Sequence, residues 1–239
     1  MPPKAKFTKE EIVKAALDLV RTEGQEALTA RALGERLGSS ARPVFTVFQS
    51  MEEVQQEVVA AARRLYAQYV EQGLCQTEMP AFKGAGMQYI RFAIQEPKLF
   101  RLLFMAEYPQ KPGVQEVLPV IEEHYSQILQ SVQSCHSLEA PAAEWLYRHL
   151  WVYTHGIAVL CATKMCRFSA EEIGRMLTEV CIAMLKEARE KETGDKGAGN
   201  REAMLSEARE QETSTKDAGN REAMLKKAGD KKARNKEND

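Results

Sequence analysis

Residues 28–48 read LTARALGERLGSSARPVFTVF, and this stretch decides the architecture. Thr29 stands where an N-cap belongs, ahead of a short helix whose Ala32, Leu33 and Leu37 share an apolar stripe. Gly38 supplies a tight stop. Ser39 or Ser40 then caps a second short helix, with Val44, Phe45 and Phe48 inward or nearly so. Pro43 falls in the first turn of that helix, where a missing N–H costs little. Two short helices joined by a brief turn containing glycine follow the helix-turn-helix plan. The second helix of such a pair enters the major groove and turns its N-terminal residues to base edges.

The rest of the chain extends the same helical text. Thr8 with Glu11, Ser50 with Glu53, and Ser169 with Glu172 have the spacing of capping boxes. Phe7 with Ile12 and Phe168 with Ile173 are placed as hydrophobic staples around two of them. Apolar periodicity predicts helices near 8–23, 29–37, 40–47, 51–73, 80–94, 97–105, 114–133, 139–164 and 169–190, and no strand-like alternation lasts. The expected class is all-α. A three-helix helix-turn-helix domain over 1–50 precedes a larger helical domain over 51–191 and a charged tail over 192–239. In that tail, residues 184–203 recur at 204–223 with 15 of 20 positions identical, starting from the end of the last body helix. From Glu192 onward there are 11 basic and 11 acidic residues and no aromatic one, too little apolar area to offset chain entropy. The tail is therefore expected to be disordered or weakly helical.

Composition excludes more than it selects. Of 239 residues, 44% are hydrophobic, enough for a core, and the net charge of −1 does not announce a nucleic-acid binder. Basic character is local: residues 1–50 carry eight basic and six acidic groups, and residues 1–9 carry three basic and none acidic. The five cysteines are scattered without a CxxC pair, and the first residues lack an apolar signal core, so a reducing cytoplasm is expected. Trp151–Thr163 is the most apolar run and too short to span a bilayer, so no membrane partner is expected. No GxSxG, P-loop, HExxH or Rossmann glycine fingerprint occurs. The chain is accordingly not expected to be an enzyme, and neither a cofactor nor a metal site is expected.

Four segments of the N-terminal region, AALDLVRTEG, LTARALGERLG, SSARPVFTVF and SMEEV, together resemble the DNA-binding domain of the TetR/AcrR (tetracycline-repressor-like) family over residues 10–54. YIRFAIQEPKLFRLLF (89–104) and WVYTHGIAVL (151–160) resemble one class of the family's C-terminal domains. The resemblance implies nine helices, a homodimer, an effector pocket, and a repressor released from a palindromic operator of double-stranded DNA by a small-molecule effector. It implies a DNA-facing surface on Thr29, Arg31, Ser39, Ser40, Ala41, Arg42, Pro43, Phe45, Thr46 and Met51. Two of these depart from the family pattern. Phe45 stands where tyrosine is usual, and Met51 stands where lysine is usual, so two polar contacts to the DNA backbone are missing. Arg42, the one charged residue between Gly38 and Phe48, is placed either to read guanine or to hold a phosphate. The alternative to a regulator is an all-helical dimeric interaction module with a degenerate helix-turn-helix.

The body is rich in aromatic residues. By the same resemblance Tyr89, Phe92, Phe104, Tyr125, Trp151 and His155 are candidates to line a partly apolar effector pocket. At helical spacing each can equally be plain core. Leu146, Leu150, Ile157 and Leu160 form a stripe on one late helix, and Ile173, Leu177 and Val180 form one on the next. These two stripes are the expected dimer face, half of a four-helix bundle. Cys161 and Cys166 do not share a helix face, so a redox pair is not expected.

Overall fold

The computed structural model describes residues 6–107 and 112–193. The chain divides into two compact units, 1–189 and 190–239. All regular structure among the described residues is helical. The elements are α1 (Lys9–Glu23), α2 (Ala30–Arg36), a 3-10 turn (Val44–Thr46), α3 (Met51–Leu74), α4 (Ala81–Gln95), α5 (Pro97–Phe104), α6 (Val114–Ile121), α7 (Tyr125–His136) and α8 (Ala140–Ala162). A ninth helix, α9, runs over residues 170–189 of the first unit. The tail repeats lie outside the described residues, except for 184–193, whose residues are helical.

The caps form largely as the spacing predicts. Thr8 and Glu11 make both bonds of a capping box. So do Ser169 and Glu172, whose two bonds measure 2.7 and 3.1 Å. The middle box is only half made. Ser50 accepts from the Glu53 N–H, but the Glu53 carboxylate takes the N–H of Gln49 rather than that of Ser50.

Two expected helices differ. The 114–133 segment breaks at 122–124 into α6 and α7, where Glu122 turns to an extended conformation (φ −110°, ψ 101°). The 40–47 segment is a single 3-10 turn rather than an α-helix. Proline restricts the helical conformation of the residue before it, here Arg42. Val44, Thr46 and Val47 are β-branched. The Thr46 hydroxyl also bonds the Pro43 carbonyl at 2.7 Å, a local bond that competes with the helical ladder.

The core runs through the whole first unit. On α3, Val54, Val58, Ala62, Tyr66 and Val70 recur every fourth residue and are all buried. This stripe packs against α4. The two backbones touch at Gly73 and Gly84, where a side chain on either would strike the carbonyl of the other. α8 packs on the far side of α4 and buries Leu146, Leu150, Ile157 and Ala158. The amino-terminal helices are tied to this body by Arg21 of α1. Its Nε donates to Glu96 Oε2 at 2.6 Å and its terminal nitrogen pairs with Oε1. Glu96 is buried at the start of α5, and Lys98 beside it donates to the carbonyl of Thr22.

Candidate nucleic-acid interface and ligand cavity

The turn between α2 and the 3-10 turn is set by two glycines. Gly38 takes φ +63°, and α2 ends in a Schellman arrangement. The Ser39 N–H bonds the Gly34 carbonyl at 2.9 Å, and the Gly38 N–H bonds the Glu35 carbonyl at 3.0 Å. Gly34 has a different task. A Cβ there would lie 2.7 Å from the backbone of Ser40 and Ala41, so only glycine lets the incoming chain cross α2 this closely. Val44 and Phe48 are then driven into the core, and Arg42, Phe45 and Thr46 face outward.

The other residues expected on this face are placed as follows. Thr29 caps α2 through the Ala32 N–H. Arg31 is exposed and pairs with Glu35 one turn on, at 2.9 Å. Ser39 accepts from the Lys6 ammonium at 3.0 Å, while Ser40 is exposed and Ala41 and Pro43 are half-buried. Phe45 is 46% exposed, a large apolar ring facing solvent beside Arg42. Met51 opens α3 and packs partly on the core. That helix start is already supplied with negative charge. Glu52 and Glu53 occupy its first turn, and the Glu52 carboxyl is held below its usual range by the Ser50 side chain and its own N–H.

The second feature is a cavity of about 240 Å³ in the body. Its wall is contributed by α3, α4, α7, α8, α9 and the break after α6. Of the six aromatic and histidine residues expected to line it, Tyr89 and Trp151 do. Phe92 and Phe104 instead pack edge-on against Tyr66, filling core behind the wall. Tyr125 lies tilted against Tyr147 and donates to Glu144, and it is not part of the cavity wall. His155 lies behind Trp151, stacked on it at 4.9 Å, with its Nδ1 2.8 Å from the Tyr89 hydroxyl. Burial lowers the pKa of His155, favouring the neutral ring.

Sequence reasoning missed Tyr66, Tyr147, Lys83, Glu122 and Cys181 on the wall. Glu122 carried a legible signal, since it stands one helical turn after Leu118 and directly after Ile121, both buried. Its side chain is almost fully buried. Burial pushes its carboxyl above the usual range, partly offset by bonds from the Tyr66 hydroxyl and the His124 N–H. Burial, and then the proximity of Glu122, push the phenols of Tyr66, Tyr89 and Tyr147 upward, so all three are neutral hydrogen-bond donors. The five cysteines are free. Among the described residues no cluster of histidine, cysteine and acidic groups could hold a metal ion, and no helix is long and apolar enough to cross a membrane.

Residues 82–185, which supply most of this cavity, match the family of tetracyclin repressor-like C-terminal domains. Over these residues the chain is similar to a tetracyclin repressor-like C-terminal domain. A transcriptional regulator from Rhodococcus sp. Rha1 shares this fold at 15% identity, covering 76% of this chain and 97% of its own with a TM-score of 0.53. A TetR-family member from Streptomyces coelicolor A3 aligns at 14% identity over 72% of this chain and 96% of its own, with a TM-score of 0.47. No curated protein matches. Ahead of the matched residues, α2 and the 3-10 turn have the arrangement of a helix-turn-helix.

The two stripes expected to form a dimer face are placed as follows. Leu146, Leu150, Ile157, Ile173 and Leu177, expected on a dimer face, are buried within the protomer itself. Leu150 and Leu177 line the cavity. The stripes are real, but α4 and the cavity claim them, because each helix buries its most apolar face against its own chain first. Leu160 and Val180 are half-buried. The apolar groups left outward on these helices are Val152, 53% exposed, and Ile182, 66% exposed. Near Val152, Gly156 has open space where a side chain would be.

Proposed function

We propose that this chain is a dimeric, sequence-specific DNA-binding regulator, a cytoplasmic repressor that leaves a palindromic operator when a partly apolar small molecule enters the cavity. The single observation that carries the reading is the outward triad Arg42, Phe45 and Thr46 on a turn held by Gly34 and Gly38. Arg42 supplies a guanidinium for a guanine edge or a phosphate, and Phe45 an apolar ring for a thymine methyl. Residues 1–50 act as the DNA-binding domain, 51–191 as the sensing and dimerising domain, and 192–239 as an appended tail.

Dimerisation uses the outward faces of α8 and α9 around Val152, Gly156 and Ile182. A bare glycine beside an exposed valine lets a partner helix approach closely, and a two-fold dimer places two heads on the two halves of a palindrome. Signal passes from the cavity to the head through α4 and α5, whose junction Arg21 grips at Glu96. Ligand binding that shifts this junction moves α1, and the spacing of the two heads changes with it. The regulator needs no resident cofactor and performs no catalysis.

Selection of bound sequences from a random DNA pool tests the reading. The expected product is a palindromic site whose affinity falls as salt rises, because phosphate contacts release counterions. No enriched sequence, or an affinity unchanged from low to physiological salt, overturns it in favour of the interaction-module alternative.

A further inference from the structure

The cavity wall is apolar and aromatic almost throughout, with rings from Tyr66, Phe82, Tyr89, Tyr147 and Trp151. Into this wall the fold sets one deeply buried carboxyl, that of Glu122, only 4% exposed. Each of its oxygens accepts one bond from a neutral donor: Oε2 from the Tyr66 hydroxyl and Oε1 from the His124 backbone N–H at 3.2 Å. A carboxylate has room for about four such bonds. The nearest basic side chain, His124, stands 3.8 Å away, beyond hydrogen-bond distance, and is shared with Glu71 at the same separation. Its ring is not part of the cavity wall. The carboxyl therefore borders the cavity with neutral hydrogen-bond donors, and with His124, outside the wall, as the basic group beside it. An acidic group buried in this way is costly unless a positive charge joins it.

A second charged group, Lys83, also lines the cavity. It is only half-buried, and its ammonium donates to the Thr178 hydroxyl of α9 at 2.7 Å. Lys83 keeps access to solvent, whereas Glu122 does not, and burial favours the neutral ring of His136 on the same wall, so the unmet electrostatic demand of the cavity is for positive charge.

We propose that the cavity receives an organic cation, a quaternary or delocalised ammonium on an apolar body, with its charge against Glu122 and the rings of Tyr66, Tyr89, Tyr147 and Trp151 around it. Aromatic faces attract such cations through the ring quadrupole, and most strongly when water is excluded. A carboxylate at the same place adds full charge neutralisation. Size agrees with the class: a cavity of about 240 Å³ has room for one aromatic ring carrying a trialkylammonium group. This inference rests on the effector reading above and names the chemistry of that effector.

Calorimetric titration of the full chain, without DNA, tests it with three probes of similar shape. They are benzyltrimethylammonium, its uncharged carbon isostere neopentylbenzene, and the anion 4-tert-butylbenzoate. The cation is expected to bind about tenfold or more tightly than the isostere, with the anion weakest. Glu122→Gln, which keeps the hydrogen-bonding shape and removes the charge, is expected to abolish that preference and leave the isostere's affinity unchanged. Trp151→Leu, at a half-buried position, serves as a second variant and should weaken the cation several-fold more than the isostere. Equal or tighter binding of the isostere or the anion overturns the proposal, as does the absence of any heat with the cation. The same preparation is assayed on its selected DNA. A chain that recognises DNA but ignores the cation loses the ligand class and keeps the regulator reading. A chain that binds the cation through Glu122 but has no DNA preference keeps the ligand class and loses the regulator.

Discussion

The turn over residues 38–48 and the cavity beside Glu122 are built by opposite means. The turn is local. Its determinants are a cap at Thr29, a left-handed glycine at 38 and a clearance glycine at 34, all within 20 residues of the face they present. The cavity draws its wall from six parts of the chain, between Tyr66 on α3 and Ile182 on α9. The difference teaches which parts of a function can be read before a structure exists. Capping and turn chemistry act between neighbours in sequence, so Gly38 and the outward Arg42 were legible. Which face of an amphipathic helix meets a cavity, a core or a second protomer depends on partners far along the chain. Leu150 and Leu177 illustrate this. Their periodicity was plain, yet it did not distinguish a dimer seam from a cavity wall.

The comparison can be broken most severely at Gly34. Gly34→Val places branched atoms where a Cβ alone already falls 2.7 Å from the Ser40 and Ala41 backbone. The incoming chain cannot give way without losing the Schellman turn, and overpacking of this kind costs roughly 1–3 kcal/mol. Specific DNA binding should disappear, while titration of the body cavity is unaffected. Retained operator affinity in a band-shift assay would show that the turn geometry does not govern recognition.

The two faces of α8 and α9 separate next. Leu177→Glu puts a charge into the protomer's own core and cavity wall, and should lower the melting temperature sharply at any protein concentration. Ile182→Glu places the charge at the outer rim of the cavity, where the side chain is 66% exposed. It should leave the protomer folded and shift light scattering from dimer to monomer. A dimer that survives Ile182→Glu but not Leu177→Glu would return the interface to the inward stripe.

Arg42 sharpens the reading of the head. Its side chain is exposed, with Phe45 and Thr46 outward beside it. If it reads guanine, Arg42→Ala should cost about 1–3 kcal/mol and relax preference at one base pair per half-site. If it holds phosphate, the loss should be uniform over sequences, and the slope of log affinity against log salt should fall by about one unit. Repeating the sequence selection with the variant separates the two outcomes, and an unchanged profile excludes both.

The smallest effect is expected at Met51, where the chain departs from the family pattern it resembles. The position opens α3, whose free N–H groups favour an anion, but Glu52 and Glu53 sit in the same turn and the Glu52 carboxyl already uses the Ser50 side chain and its own N–H. A phosphate approaching here meets apolar sulfur and a negative neighbour. Met51→Lys reverses part of that. The four-carbon stem can replace the methionine against the core, since long cationic side chains bury their stems and carry the charge outward. One added phosphate contact steepens the salt slope by about one unit. Because a phosphate carries no sequence information, specific and unrelated DNA should tighten together, leaving their ratio unchanged. A gain confined to the selected site would mean the lysine reaches a base edge. No gain at low salt would mean that the acidic first turn of α3 holds this end of the helix away from the duplex, leaving Arg42 and the basic arm before α1 to carry the contact.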